Sequence, residues 1–164
     1  MLDLTESRYD RQERIWWWDQ ARLAAARVLV VGAGALGNEV VKNLCLVGVG
    51  YVDVVDMDTI EHSNLARCVL FREDDEGRPK AEVLAEAAAA INPDVTVRGL
   101  VCAVQALGSA TLARYDVVIA GLALGVAHRR FLQRPSVAFL VTAAGYVVAF
   151  LFIVYVAVAI MGVS

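Results

Sequence analysis

The stretch Arg27-Val28-Leu29-Val30-Val31-Gly32-Ala33-Gly34-Ala35-Leu36-Gly37 constrains this chain more than any other. Its first part is short, apolar and rich in β-branched residues, which reads as a buried strand. Glycines in the spacing G-x-G-x-x-G follow at once, and a helical pattern then runs to about Leu46, closed by Gly48 and Gly50. Strand, glycine turn and helix in that order form a cradle for phosphate. The first glycine permits the tight turn, the second lets the backbone approach a phosphate, and the third lets the helix pack close to the sheet. Free N–H groups at the helix start then hold anionic oxygens. Asp56 lies about twenty residues on, at the tip of the next apolar strand, Tyr51–Asp56. It is placed to accept hydrogen bonds from ribose hydroxyls.

The alternation continues downstream. Lys80–Ile91 reads as a second helix, stopped by Asn92-Pro93, and Thr96–Val101 as a third strand. Gln105–Ala113 reads as a further helix and Asp116–Ala120 as a fourth strand. Strands alternating with helices imply βαβ units, so the expected class is α/β: a Rossmann-like, mostly parallel sheet with flanking helices, spanning residues 1–134. With 15 Lys+Arg against 18 Asp+Glu, the net charge of −3 gives no electrostatic case for nucleic acid. Cys45, Cys68 and Cys102 show no CxxC spacing. That argues against a disulfide framework and against structural zinc, and it suggests reduced thiols in the cytoplasm. The polar start, MLDLTESRYDRQER, does not resemble a secretory signal.

Apolar residues make up 59% of the chain, and they are concentrated at its end. From Pro135 onward no Asp, Glu, Lys, Arg or His occurs, and Val137–Val163 is continuously apolar or small. That run of about 27 residues exceeds the roughly 20 that cross a bilayer core as a helix. Arg129, Arg130 and Arg134 precede it, so a membrane anchor would leave the N-terminal domain in the cytosol. The richness in Val, Ile, Phe and Tyr also fits two buried strands broken at Gly145, and a shifted reading frame is a third source for such a tail. The working expectation is a transmembrane segment at 137–163.

The glycine motif and Asp56 alone would suggest an NAD(P)-dependent oxidoreductase, yet no hydride-transfer site is visible. Three further stretches are left over by that reading. They are Arg8-Tyr9-Asp10-Arg11-Gln12 before the first strand, Ser63-Asn64-Leu65-Ala66-Arg67 after Asp58, and Gly77-Arg78-Pro79-Lys80 opening the second helix. Together with GAGALG and Asp56-Met57-Asp58, and in this order, they resemble the ThiF/MoeB/HesA family, the adenylating domain of ubiquitin-activating-type enzymes. The resemblance runs from roughly Arg8 to Gly121.

That resemblance implies MgATP-dependent adenylation of the C-terminal carboxylate of a small ubiquitin-like or sulfur-carrier protein, with release of pyrophosphate. Gly32, Gly34 and Gly37 would line the adenosine and α-phosphate, and Asp56 would hold the ribose. Asn64, Arg67 and Lys80 would surround the triphosphate. Arg11 would reach the ATP of a neighbouring subunit, which implies a homodimer or heterodimer. Charge builds on phosphate oxygens during such a transfer, so catalysis is mainly positioning plus cationic stabilisation. Taken singly, Arg67 and Lys80 read as solvated surface charges, and Arg11 as a partner for Asp10 or Glu13 on an exposed helix.

The pattern departs from the family at Ala123, where relatives carry an Asp that helps bind magnesium. Magnesium favours carboxylate and phosphate oxygens, so its binding is expected to be weakened. The zinc-binding CxxC pairs, catalytic cysteine and carrier-binding surface of relatives are not found either. A second functional reading is therefore a non-catalytic, membrane-tethered module that binds nucleotide or dimerises. His62 and His128 lie in no ligand-spaced cluster and read as structural or surface residues. Cys45 reads as core. Cys68, where relatives usually carry glutamine, reads as a plain substitution or as a thiol near the phosphates. The run Trp16–Trp18 cannot share one helix face, so only part of it is expected to pack under the domain.

Overall fold

The computed structural model describes residues 7–120. Ala123, His128 and the apolar run 137–163 lie outside the described residues. Among the described residues no helix is long and apolar enough to cross a membrane.

The elements run α1 (Asp10–Glu13), α2 (Gln20–Ala25), β1 (Arg27–Val31), α3 (Ala35–Val47), β2 (Tyr51–Val55), α4 (Lys80–Ala89), β3 (Thr96–Leu100), α5 (Ser109–Leu112) and β4 (Val117–Ala120). The strands form one sheet in the order β3-β2-β1-β4, and every pairing is parallel. Leu29 of β1 stands between Asp53 of β2 and Val118 of β4. The expected α/β architecture is present, and the strand order places the reversal of direction beside β1, whose carboxyl end carries the glycine loop. Crevices at such switch points are where open α/β sheets bind ligands.

Period-two alternation sorts each strand into two faces. Val28 and Val30 of β1 and Val52 and Val54 of β2 point to one face, where they meet Val40, Val41, Leu44 and Cys45 of α3 and Leu84 and Ala88 of α4. The helical residues recur at three- and four-residue spacing, so a single stripe of each helix is buried. Each fully buried Val or Leu contributes roughly 1.5–3 kcal/mol of transfer free energy. Helix α3 stops at Gly48, whose left-handed φ of 80° lets its N–H reach back to the carbonyl of Cys45.

The opposite face holds Leu29, Val31 and Val55, packed by Leu100, Cys102, Val104, Leu107 and Leu112. Here the expected helix over Gln105–Ala113 is not continuous. A 3-10 turn, Val104–Ala106, is followed by an extended Gly108 (φ −60°, ψ 159°) and only then by α5. On an unbroken helix Leu107 and Leu112 would point about 140° apart. The break at Gly108 lets both side chains face the sheet. Of the tryptophan run, Trp17 and Trp18 pack against the core while Trp16 is 89% exposed.

Candidate nucleotide site

The glycine loop leaves β1 through Gly32, whose φ of 99° is open to glycine and strained for other residues. Its N–H donates to the carbonyl of Val55 at 2.9 Å, which moors the turn to β2. A Cβ at Gly37 would collide with the carbonyl of Gly32, whereas a Cβ at Gly34 would meet nothing within 4 Å. The third glycine therefore permits close packing, and the second faces open space. Among the described residues the N–H groups of Gly34, Ala35, Leu36 and Gly37 find no acceptor, and no side chain caps α3. Four unpaired donors at the start of a 13-residue helix, with its positive dipole end behind them, make a cradle for an anion.

Asp56 follows β2 and lies directly against that loop. Its Oδ2 accepts the Ala33 N–H at 2.6 Å, and its Oδ1 accepts the Asp58 N–H at 2.8 Å. Each carboxylate oxygen keeps a further lone pair for a hydroxyl. Asp58 in turn receives Lys80 Nζ at 3.2 Å, and the backbone N–H of Lys80 donates to the Asp58 carbonyl at 3.0 Å. The Lys80 side chain is only 12% exposed, so packing fixes where its ammonium emerges. Glycine loop, Asp56, Asp58 and Lys80 thus form one hydrogen-bonded series at the carboxyl ends of the strands.

The Asn64–Phe71 loop closes another side. Asn64 is buried, and its Oδ1 accepts the Glu61 N–H at 3.0 Å, so part of its polar capacity goes to capping its own turn. The Arg67 guanidinium is exposed and donates to the Ser63 carbonyl at 2.7 Å. Cys68 is buried. That burial raises its thiol pKa, against the lowering pull of the positive charges on Arg67 and Lys80. Both cations thus act on one buried thiol. An open hollow of about 460 Å³ lies beyond this loop, lined by His62, Ser63, Phe71 and Arg72 among others. It includes none of the glycines, Asp56 or Lys80.

Arg11 is not brought to this cluster. Its segment is moored at the far end of α3. Arg8 donates to the Ile91 carbonyl at 2.8 Å, and Asn92 Nδ2 donates to both the Tyr9 hydroxyl (2.6 Å) and the Cys45 carbonyl (2.8 Å). Thirteen helical residues separate the two ends of α3, a span of about 20 Å. Arg11 is exposed and forms no ion pair with Asp10 or Glu13. Arg8 and Tyr9 thus work as anchors that present Arg11 outward.

The chain matches the family model described as "ThiF family" over residues 9–142. It belongs to the ThiF family. Among curated relatives, human ubiquitin-like modifier-activating enzyme 7 is 50% identical over 100 residues, 57% of this chain and 10% of that protein. The SAMP-activating enzyme E1 of Haloferax volcanii is 46% identical over 100 residues, covering 58% of this chain and 37% of that one. The chain therefore spans from about a tenth to little more than a third of these ThiF relatives. The solved structure of E. coli MccB with ATP superposes with a TM-score of 0.60 at 30% identity, over 71% of this chain and 37% of that chain.

Sequence reasoning singled out the glycine loop, Asp56 and Lys80, which the structure brings together, and it passed over Asn38. This side chain is fully buried and hydrogen-bonds the glycine loop on one side and the Arg67 loop on the other. A polar residue four positions beyond the second glycine, on the inward stripe of α3, was the only available signal. Among the described residues no group of three His, Cys, Asp or Glu side chains could hold a metal. His62 sits on the surface, 3.9 Å from Glu76.

Proposed function

We propose that this chain carries the ATP-binding half of an adenylating enzyme, one that activates the C-terminal carboxylate of a small ubiquitin-like or sulfur-carrier protein. The observation that supports it is the set of unpaired N–H groups at Gly34–Gly37, framed by Asp56 and the Lys80–Asp58 pair. These residues fit a nucleotide. The cradle takes a phosphate, Asp56 takes ribose hydroxyls, and Lys80 with Arg67 meets the phosphate oxygens. Attack of the carrier carboxylate on the α-phosphorus forms a carboxyl–phosphate anhydride and expels pyrophosphate. The role of this chain's residues is to align the α-phosphate and offset the charge that develops on its oxygens and on the leaving group. Asp58 has to yield Lys80 to the phosphates as nucleotide enters.

Arg11 serves the site of a second subunit in this reading, because about 20 Å of α3 separates its segment from its own glycine loop. A homodimer or a heterodimer follows. Magnesium fits less well than nucleotide: Asp58 is already paired with Lys80, and Ala123 brings no oxygen to the position where relatives carry an acid. Ala123 also favours a second reading, a non-catalytic nucleotide-binding or dimerising module. In either case residues 1–134 form the nucleotide domain in the cytoplasm, and Val137–Val163 tethers it to a membrane. Alkaline carbonate extraction tests that tether, and full recovery in the soluble fraction would discard it.

ATP–pyrophosphate exchange with carriers ending in Gly-Gly tests the main reading. Carrier-dependent exchange, abolished in Asp56→Ala, supports adenylation. ATP binding without exchange supports the second reading, and restored exchange in Ala123→Asp would trace the loss to the metal ligand.

A further inference from the structure

Asn38 has no role in the binding scheme above, although among the described residues it is the one fully buried polar side chain touching both halves of the site. It lies in the first turn of α3. Its Nδ2 donates to the Ala33 carbonyl at 2.9 Å and to the Gly34 carbonyl at 3.2 Å. Its Oδ1 accepts the Leu70 N–H at 3.0 Å, across 32 residues of sequence.

Two consequences follow from peptide geometry. In a planar trans peptide the C=O and the following N–H point in opposite directions. Holding the carbonyls of Ala33 and Gly34 inward therefore turns the N–H groups of Gly34 and Ala35 outward, and at Gly34 the Asn38 backbone N–H shares that task at 2.9 Å. The Leu70 bond also fixes the loop that carries Arg67, whose own N–H donates to the Asn64 carbonyl at 3.0 Å. A single amide thus sets the donor cradle and the cation loop in register.

We propose that Asn38 is a positioning residue, which locks the glycine-loop peptides against the Arg67 loop so that phosphate meets preorganised donors. This rests on the nucleotide-binding reading. An aspartate at this position is nearly isosteric. It keeps an acceptor for Leu70 and loses both donors, setting carboxylate oxygens against the carbonyls of Ala33 and Gly34.

The test is to measure ATP, AMP and adenosine binding to the full chain and to Asn38→Asp and Asn38→Ala, with hydrogen exchange at Leu70 as a ligand-free readout. Asn38→Asp is expected to weaken ATP and AMP about tenfold to a hundredfold, the range of one or two charge-assisted hydrogen bonds, while adenosine is unchanged. Leu70 should stay protected in Asn38→Asp and lose protection in Asn38→Ala. Loss of folded protein lowers all three affinities by one factor, so the ATP-to-adenosine ratio remains decisive even for a destabilised variant. An unchanged ratio in Asn38→Asp, with ATP binding normally to the unaltered chain, overturns the positioning role alone. If the unaltered chain binds none of the three, the nucleotide reading falls and this proposal with it.

Discussion

Tyr115 donates its hydroxyl to Asp53 Oδ2 at 2.6 Å, the same oxygen that Arg98 Nη2 reaches at 2.7 Å, while Arg98 Nε holds Oδ1 at 2.8 Å. Asp53 is buried in the middle of β2, Arg98 is its register partner on β3, and Tyr115 reaches it from the turn before β4. Three elements are thereby tied through one carboxylate, on the sheet face away from α3. A bidentate arginine with a third donor satisfies most of the acid's acceptor capacity, which is what a buried charge requires.

Stability should fall in acid through this group. Burial works to raise the Asp53 pKa, but the hydrogen bonds from Arg98 and Tyr115 and the positive charges of Arg98 and Arg27 outweigh it and hold the pKa below the ordinary 3.8. A depressed native pKa stabilises the fold above the unfolded value and is lost as pH drops through the native one. The loss should therefore appear below about pH 4. Urea midpoints from pH 2 to 6 should show this slope, and Asp53→Asn should flatten it while lowering stability at pH 7 by about 1–3 kcal/mol. Tyr115 has the opposite sign. Burial and the Asp53 bond raise its pKa to about 12, so its contribution is complete below pH 10 and lost as pH rises through 12.

The glycines of the loop should separate folding from binding. At Gly37 a Cβ would run into the backbone of Gly32, so Gly37→Ala must displace α3 from β1. Overpacking of this kind costs roughly 1–3 kcal/mol, and nucleotide binding should fail with it. At Gly34 the space is open, and the backbone (φ −74°, ψ −163°) suits any residue. Gly34→Ala should fold with a melting temperature near that of the parent and lose ATP affinity about tenfold, because its methyl stands where phosphate approaches. Thermal melts beside nucleotide titrations check both, and normal ATP affinity in Gly34→Ala would count against the cradle.

Local chemistry explains which parts of this molecule were legible in its sequence. The unit Arg27–Val47 could be read because strand, turn and helix each carry their own signal within a few residues, and the family pattern added Asn64, Arg67 and Lys80. Asp53 and Arg98 could not be paired beforehand, since only the register of β2 with β3 brings them together. Gly108 was hidden for a related reason. The residues around it favour a helix, and the break is dictated by the sheet face that Leu107 and Leu112 must both cover. The resemblance placed Arg11 at a neighbour's site, but the contacts that hold its segment away from its own glycine loop were hidden, because they depend on where Asn92 docks Tyr9.

Cysteine reactivity should follow burial. Cys45 has no exposed surface, and burial pushes its thiol up to about 12, so almost none is thiolate near neutrality. Burial raises the Cys68 pKa as well, and Cys102 is the half-buried one of the three. Iodoacetamide at pH 8 should label Cys102 first, with Cys45 and Cys68 reacting only in urea, as read by peptide mass mapping. Rapid native labelling of Cys68 would show that the Arg67 loop opens.

Arg11 offers the sharpest test of subunit sharing. It is exposed and makes no ion pair among the described residues, so Arg11→Ala should change stability by no more than about 0.5 kcal/mol. Arg8→Ala, which frees the Ile91 carbonyl, should destabilise more. If Arg11 acts across a dimer, chains of Arg11→Ala and Asp56→Ala are each inactive in exchange, yet their mixture recovers activity. In the mixed dimer the Arg11→Ala subunit keeps its own Asp56 and borrows Arg11 from its neighbour, while the other site lacks both. Random exchange makes half the dimers mixed, so recovery should approach about a quarter of the parent activity. Recovery near zero, with mixed dimers demonstrated by mass spectrometry, would confine Arg11 to the chain that carries it and leave its outward placement without a catalytic purpose.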